Sequence, residues 1–115
     1  MHRLLLSTAL AALLAIPVVA SAATPTPVTL AGTYFNNKPN AKLTIKLGSS
    51  LRFVWKNGFH NIVTQKAPTG ANKVSSGNPT ATHKPIVFKP SKEGKYIFYC
   101  TPHKALGMVL TVTVD

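Results

Sequence analysis

Gly94-Lys95-Tyr96-Ile97-Phe98-Tyr99-Cys100 and, past the loop Thr101–Gly107, Met108-Val109-Leu110-Thr111-Val112-Thr113-Val114 decide the fold class. In the first run Tyr96, Phe98 and Cys100 share one face, with Ile97 and Tyr99 on the other. In the second, Met108, Leu110, Val112 and Val114 alternate with Val109, Thr111 and Thr113. A period of two is that of a pleated strand with one face buried. Glu93-Gly94 ahead of the first run is a turn signal.

The same pattern continues upstream. Leu43, Ile45 and Leu47 alternate with Lys42, Thr44 and Lys46, and Gly48-Ser49-Ser50 then breaks the chain. Leu51, Phe53 and Trp55 face one way, which places Trp55 in the core. Asn57-Gly58 is the strongest turn dipeptide in the chain. Phe59–Gln65 resumes a β-rich run. Lys66–Lys84 is polar and rich in Gly, Pro, Ser, Asn and Thr, and reads as a long connection holding at most one short strand. Pro85–Lys89 is a further strand, closed by Pro90. No stretch after residue 23 holds a helical period, and there are no internal repeats. The expectation is one all-β domain over 28–115, an antiparallel sandwich or barrel of about seven to eight short strands.

The first 22 residues read differently. Met1-His2-Arg3 is positively charged, Leu4–Ala15 is an apolar run, and Ala20-Ser21-Ala22 offers small residues to a signal peptidase. That order is a secretory signal peptide cleaved after Ala22. An uncleaved membrane anchor is the competing reading, disfavoured by Pro17 and the Ala-x-Ala site. Residues 23–27, with Thr24-Pro25-Thr26-Pro27, form a stiff leader. The domain is therefore expected outside the cytoplasm, in a periplasm or an equivalent compartment, with peripheral attachment to a membrane the other option.

Composition narrows the chemistry. The 115 residues include 13 Lys and Arg against 2 Asp and Glu, for a net charge of +11. The imbalance arises from missing acids, and two carboxylates leave no material for a paired-carboxylate hydrolase. One Cys rules out an internal disulfide framework and a zinc site of several thiolates. The bases are dispersed singly along the strands, which argues against nucleic-acid binding. A lone thiol in an oxidising compartment is safe only when buried or bound, so Cys100 is the residue to explain.

One loop brings together a thiolate at Cys100, an imidazole at His103 and a thioether at Met108, and Phe59-His60-Asn61 supplies a second imidazole from a distant strand. Two His, one Cys and a Met suit type 1 copper, with trigonal N, N and S ligands and a long axial thioether. Zinc would accept His, His and Cys, but Met is a poor zinc ligand. Taken singly each residue has an ordinary alternative: Cys100 and Met108 as core, His60 as a strand residue, His83 as a surface side chain.

The segment Tyr99-Cys100-Thr101-Pro102-His103-Lys104-Ala105-Leu106-Gly107-Met108-Val109 resembles the copper loop of plastocyanins and pseudoazurins, within the cupredoxin family. Phe59-His60-Asn61-Ile62-Val63 is similar to the upstream His-Asn motif of those proteins. The resemblance implies a Greek-key cupredoxin-like fold and one copper ion, Cu(II)/Cu(I), held by His60, Cys100, His103 and Met108. It implies that Asn61 hydrogen-bonds the loop after Cys100 and ties the two halves of the site together. It also implies an apolar electron-transfer surface of Pro102, Ala105, Leu106 and Gly107 around His103, with Tyr99 as a second contact point.

The chain departs from plant plastocyanins in having nothing acidic near that Tyr, and in carrying Lys104 within the contact loop. The expected partners are therefore redox proteins with an acidic docking surface, met by a monomer that binds no nucleic acid. The functional expectation is an exported one-electron carrier, not an enzyme. The alternative is a copper carrier or buffer that hands the metal itself to another protein. A copper oxidase or nitrite reductase would need further histidines, and past the expected signal segment only His83 remains.

Overall fold

The computed structural model describes residues 24–115; the expected signal segment lies outside the described residues. Strands β1 (Thr26–Ala31), β2 (Tyr34–Phe35), β3 (Ala41–Ile45), β4 (Leu51–Trp55), β5 (Val63–Lys66), β6 (Ile86–Phe88), β7 (Gly94–Tyr99) and β8 (Val109–Val114) follow in order, with a 3-10 turn, Thr101–Leu106, between the last two. They form two four-stranded sheets, β2-β1-β4-β6 and β3-β8-β7-β5, packed as an all-β sandwich.

Alternation along the strands builds the core. Val28 and Leu30 of β1, Leu51 and Phe53 of β4, Tyr96 and Phe98 of β7, and Leu110 and Val112 of β8 are fully buried. Phe98 meets Phe53 edge-on at 5.5 Å between ring centroids and Phe88 at 5.6 Å, so aromatic side chains from both sheets interlock at the centre.

Not all pairings are antiparallel as the sequence suggested. β1 runs parallel to β4, from Thr26 opposite Leu51 to Leu30 opposite Trp55, and β3 runs parallel to β8. The chain leaves one sheet for the other between β2 and β3 and returns between β3 and β4, so β4 re-enters its sheet in the direction of β1. Alternation records which face of a strand is buried and carries no record of its direction.

Three boundaries also differ. Thr26 and Pro27, assigned to the leader, are the first residues of β1. Leu47 lies beyond the end of β3 and is 47 % exposed, because the strand stops at Ile45 and Leu47 N–H turns to the Asp115 carbonyl. The run from Phe59 becomes a strand only at Val63, since His60 instead pairs with Thr80 across the long connection. Past Lys66, which ends β5, that connection forms no named strand. Hydrogen bonds from Thr64 to the Val74 carbonyl, Ser76 to Ile62 and Asn72 to Lys89 hold it against the sandwich.

Candidate metal centre

The site lies at one end of the sandwich, where β4 leads into β5 and β7 into β8. His60 and Asn61 come from the first connection, Cys100 and His103 from the second. The backbone of His60 is fixed twice by Thr80, N–H to carbonyl at 3.0 Å and the reverse at 2.9 Å. The Trp55 indole N–H donates to the His60 carbonyl at 3.1 Å.

The ring of His60 is fixed as well. Its Nε2 lies 2.7 Å from the Asn57 carbonyl, which only accepts, so Nε2 carries the proton and Nδ1 keeps its lone pair. Nδ1 faces the Cys100 sulfur at 3.7 Å. The Asn57-Gly58 turn thus sets the tautomer of a candidate ligand, a role that its reading as a turn dipeptide did not contain. Gly58 has φ +87°, and a Cβ there would stand 2.7 Å from His60 Nε2. Only glycine leaves room for that ring.

Cys100 is fully buried at the end of β7. Its N–H donates to the Met108 carbonyl, and its own carbonyl accepts from His103 N–H, which begins the 3-10 turn. Pro102 suits the first turn of a helix, where no N–H is needed. Gly107 ends the turn with φ 97°, and its carbonyl accepts from Asn40 N–H at 2.9 Å. The loop therefore returns the chain so that Met108 is buried beside the Cys100 backbone. His103, half-buried, directs Nδ1 at the Cys100 sulfur from 3.6 Å. The rings of His60 and His103 are 5.1 Å apart between centroids.

Asn61 joins the two connections. Its Oδ1 accepts from Thr101 N–H at 2.7 Å, while its Nδ2 donates to Thr101 Oγ1 at 2.9 Å and to the Gly77 carbonyl at 3.0 Å. Burial raises the Cys100 thiol above its ordinary value, opposed by the N–H groups of Asn61 and His103. Burial also lowers His60, opposed by the Asn57 hydrogen bond and reinforced by His103. Nδ1 of His60 and Nδ1 of His103 both face the Cys100 sulfur.

The donor atoms of His60, Cys100 and His103 all lie within 4.8 Å of one another. An ion bonded at about 2.0 Å to nitrogen and about 2.3 Å to sulfur, the lengths of zinc sites, at a trigonal angle of about 120° would need a nitrogen–sulfur separation of about 3.7 Å. The observed 3.6 and 3.7 Å match it. A soft thiolate, two imidazoles and a buried thioether residue fit a single type 1 copper ion.

Around this centre Pro102, Lys104, Ala105 and Leu106 are exposed and Gly107 is half-buried. Leu106 is 58 % and Phe59 54 % exposed, so Phe59 adds an apolar side chain that sequence reading left out. Tyr99 is half-buried, with Lys104 Nζ 4.3 Å above its ring. His83 is exposed and outside the donor cluster; it stacks on Trp55 at 4.6 Å, which leaves Trp55 half-buried at the edge of the core.

Comparison with known proteins agrees with the geometry. A plastocyanin from Prochlorothrix hollandica is 38 % identical over 77 residues, covering 64 % of this chain and 59 % of that protein. A pseudoazurin from Methylorubrum extorquens is 40 % identical over 76 residues, covering 64 % of this chain and 49 % of its own length. The chain thus spans about half to three-fifths of these relatives. Among solved structures, the pseudoazurin of Hyphomicrobium denitrificans superposes with a TM-score of 0.62 at 29 % identity, covering 80 % of this chain and 76 % of that one. A copper-containing nitrite reductase from Thermus scotoductus shares the fold at 20 % identity and a TM-score of 0.61, over 80 % of this chain but 22 % of its own. Residues 29–115 match the family described as copper binding proteins, plastocyanin/azurin family, and with the donor cluster in place the chain belongs to that family of blue copper proteins.

Proposed function

We propose that the protein is a one-electron carrier between redox partners, with His60, Cys100, His103 and Met108 as the ligands of its copper. Bound copper would supply a single-electron couple, Cu(II)/Cu(I). The observation that carries this reading is the convergence of two imidazole nitrogens and a thiol on one point, with one imidazole held in its tautomer by the Asn57 carbonyl.

The residues divide the work. Asn61 fastens the Cys100 loop to the His60 segment, so the donors keep their separation whichever charge the ion bears. Burial of Cys100 and Met108 keeps water from the sulfur ligands. Half-buried His103 provides the route to the surface, through the patch of Pro102, Ala105, Leu106 and Gly107. Tyr99, next in sequence to Cys100, is the second contact point. No catalytic acid, base or nucleophile is required, and the relatives named above are plastocyanin and pseudoazurin.

Delivery of copper to another protein is the alternative. It would require ligands that open, whereas the segments holding His60 and Cys100 are tied by several backbone and side-chain hydrogen bonds. We place the protein outside the cytoplasm on the reading of residues 1–22, as a monomer whose partners present acidic surfaces. Among the described residues no helix is long and apolar enough to cross a membrane. The test is Cys100→Ser in the copper-loaded protein, which removes the intense thiolate-to-copper absorption. Persistence of the blue colour would refute the ligand assignment. Fast electron self-exchange without metal loss separates the carrier of electrons from the carrier of metal.

A further inference from the structure

Asn57 is the only asparagine of the chain followed by glycine. An asparagine side chain is an acyl group, and the nitrogen of the next peptide can attack its Cγ to close a succinimide ring; asparagine is a thermolabile residue for this reason. The other asparagines are obstructed. Asn61 is buried and precedes β-branched Ile62, and Asn78 precedes Pro79, which has no N–H. Asn72 is held at both ends of its amide, Nδ2 by the Lys89 carbonyl at 2.7 Å and Oδ1 by Ser91 N–H at 2.9 Å. Asn36, Asn37 and Asn40 precede residues whose Cβ crowds the attacking nitrogen.

The turn at Asn57 leaves that reaction open. The side chain is exposed, and its Oδ1 accepts from Gly32 N–H at 2.9 Å. A donor there polarises the carbonyl and holds the oxyanion that attack creates. Nδ2 donates to no group among the described residues, so the leaving nitrogen is unrestrained. Gly58 has no Cβ over its nitrogen, and among the described residues its N–H makes no hydrogen bond.

The main-chain carbonyl of the same residue fixes the tautomer of His60, at 2.7 Å from Nε2. We propose that Asn57 is a site of self-modification, deamidating with water as co-reactant and thereby changing the group that holds His60. Hydroxide takes the Gly58 proton, the N–Cγ bond forms, and the Cγ–Nδ2 bond breaks. Ammonia leaves with a proton from water, and nothing is oxidised or reduced. Water then opens the ring at one of two carbons. Attack at Cγ leaves aspartate with the main chain unaltered. Attack at the main-chain carbonyl carbon leaves isoaspartate: the chain then runs through Cβ and Cγ, and the oxygen that accepted from His60 belongs to a free carboxylate. Either product adds one negative charge. In isoaspartate an imidazole N–H that faced a neutral carbonyl faces an anion, which makes Nδ1 the more basic donor and favours the ion of higher charge. The modification stands apart from the copper reading; only the change in potential rests on His60 as a ligand.

The test is to age the protein at mildly alkaline pH in heavy-oxygen water. Fragment spectra of its proteolytic peptides should place most of the heavy oxygen at residue 57, and an isoaspartyl methyltransferase should methylate the aged protein. Label absent from residue 57, or spread over the other asparagines, overturns the proposal. The isoaspartyl fraction is then compared with Asn57→Asp, which carries the same charge and keeps the main-chain carbonyl. In the copper-free proteins the His60 Nε2–H proton resonance should move downfield in the isoaspartyl fraction and stay in place in Asn57→Asp. After copper loading, the isoaspartyl fraction should have the lower potential by voltammetry. Equal resonances and equal potentials in the two would break the link to His60 and overturn the proposal. A protein without blue absorption that still gains the label and the shifted resonance would sink the ligand assignment and leave the modification standing.

Discussion

Gly58→Ala tests whether the tautomer of His60 is set by the turn before it. The new Cβ would sit 2.7 Å from His60 Nε2, and the backbone has φ +87°. Holding an L-residue in the left-handed region costs about 1–2 kcal/mol. Displacing the ring stretches the 2.7 Å hydrogen bond to the Asn57 carbonyl, a loss of about 1 kcal/mol. The sum, about 2–3 kcal/mol, should lower the melting temperature by roughly 10–20 °C in a domain of this size. Gly48→Ala is the control: its φ is +96°, yet nothing lies within 4 Å of the added carbon, so it carries only the backbone term. Thermal unfolding of both copper-free variants, with the visible spectrum of the copper-loaded forms, separates the two contributions. Gly58→Ala should be the less stable by about 1 kcal/mol and should alone shift the blue band. If the two variants unfold together and share an unchanged spectrum, the steric argument about the His60 ring is wrong.

Asn61→Ala removes three hydrogen bonds and leaves the Thr101 N–H without its partner; a loss of about 2–4 kcal/mol by chemical denaturation is expected, with faster copper release to a chelator. Met108→Leu nearly conserves core volume, so stability should change by less than about 1.5 kcal/mol, while voltammetry should show a changed potential with the blue colour kept. The copper-free protein should lose stability at both ends of the pH scale. His60 is lowered in the fold, so the unfolded chain takes up its proton first and stability falls as pH drops below the ordinary 6.5. Cys100 is raised, so the unfolded chain ionises first and stability falls as pH rises above the ordinary 9.0. Denaturant midpoints measured from pH 5 to 10 check both limbs, and a flat profile would contradict them.

Sequence made the strands legible because period-two burial is a local property: Tyr96 and Phe98, or Leu110 and Val112, declare their face whatever their neighbours are. Direction and partnership are not local, so the parallel pairings of β1 with β4 and of β3 with β8 left no trace in the alternation. The candidate ligands were legible through residue type and spacing, as Cys100, His103 and Met108 share one loop. What escaped notice was the support given by ordinary residues. Asn57-Gly58 has the composition of a hairpin turn, and nothing in it announces a carbonyl aimed at an imidazole. Thr80 pins His60 from a connection that reads as featureless. Tertiary proximity gives such residues their role, and a single sequence does not encode it visibly.

The arrangement of these supports bears on how an electron could be exchanged quickly. His60, Cys100 and Asn61 are buried and tied to backbone groups on both sides of the sandwich end. Their positions are set by the same network that closes the core. A change of one unit of charge at the centre then meets donors that have little freedom to follow it. Little reorganisation means a low barrier, the requirement for a carrier that must accept and release from the same geometry. A metal-delivery protein needs the opposite, ligands that yield one after another to a competitor. The fixed tautomer of His60 and the Asn61 clamp therefore weigh towards electron exchange on grounds independent of any relative. Loosening the clamp should move the protein towards copper release while the ligands themselves stay unchanged.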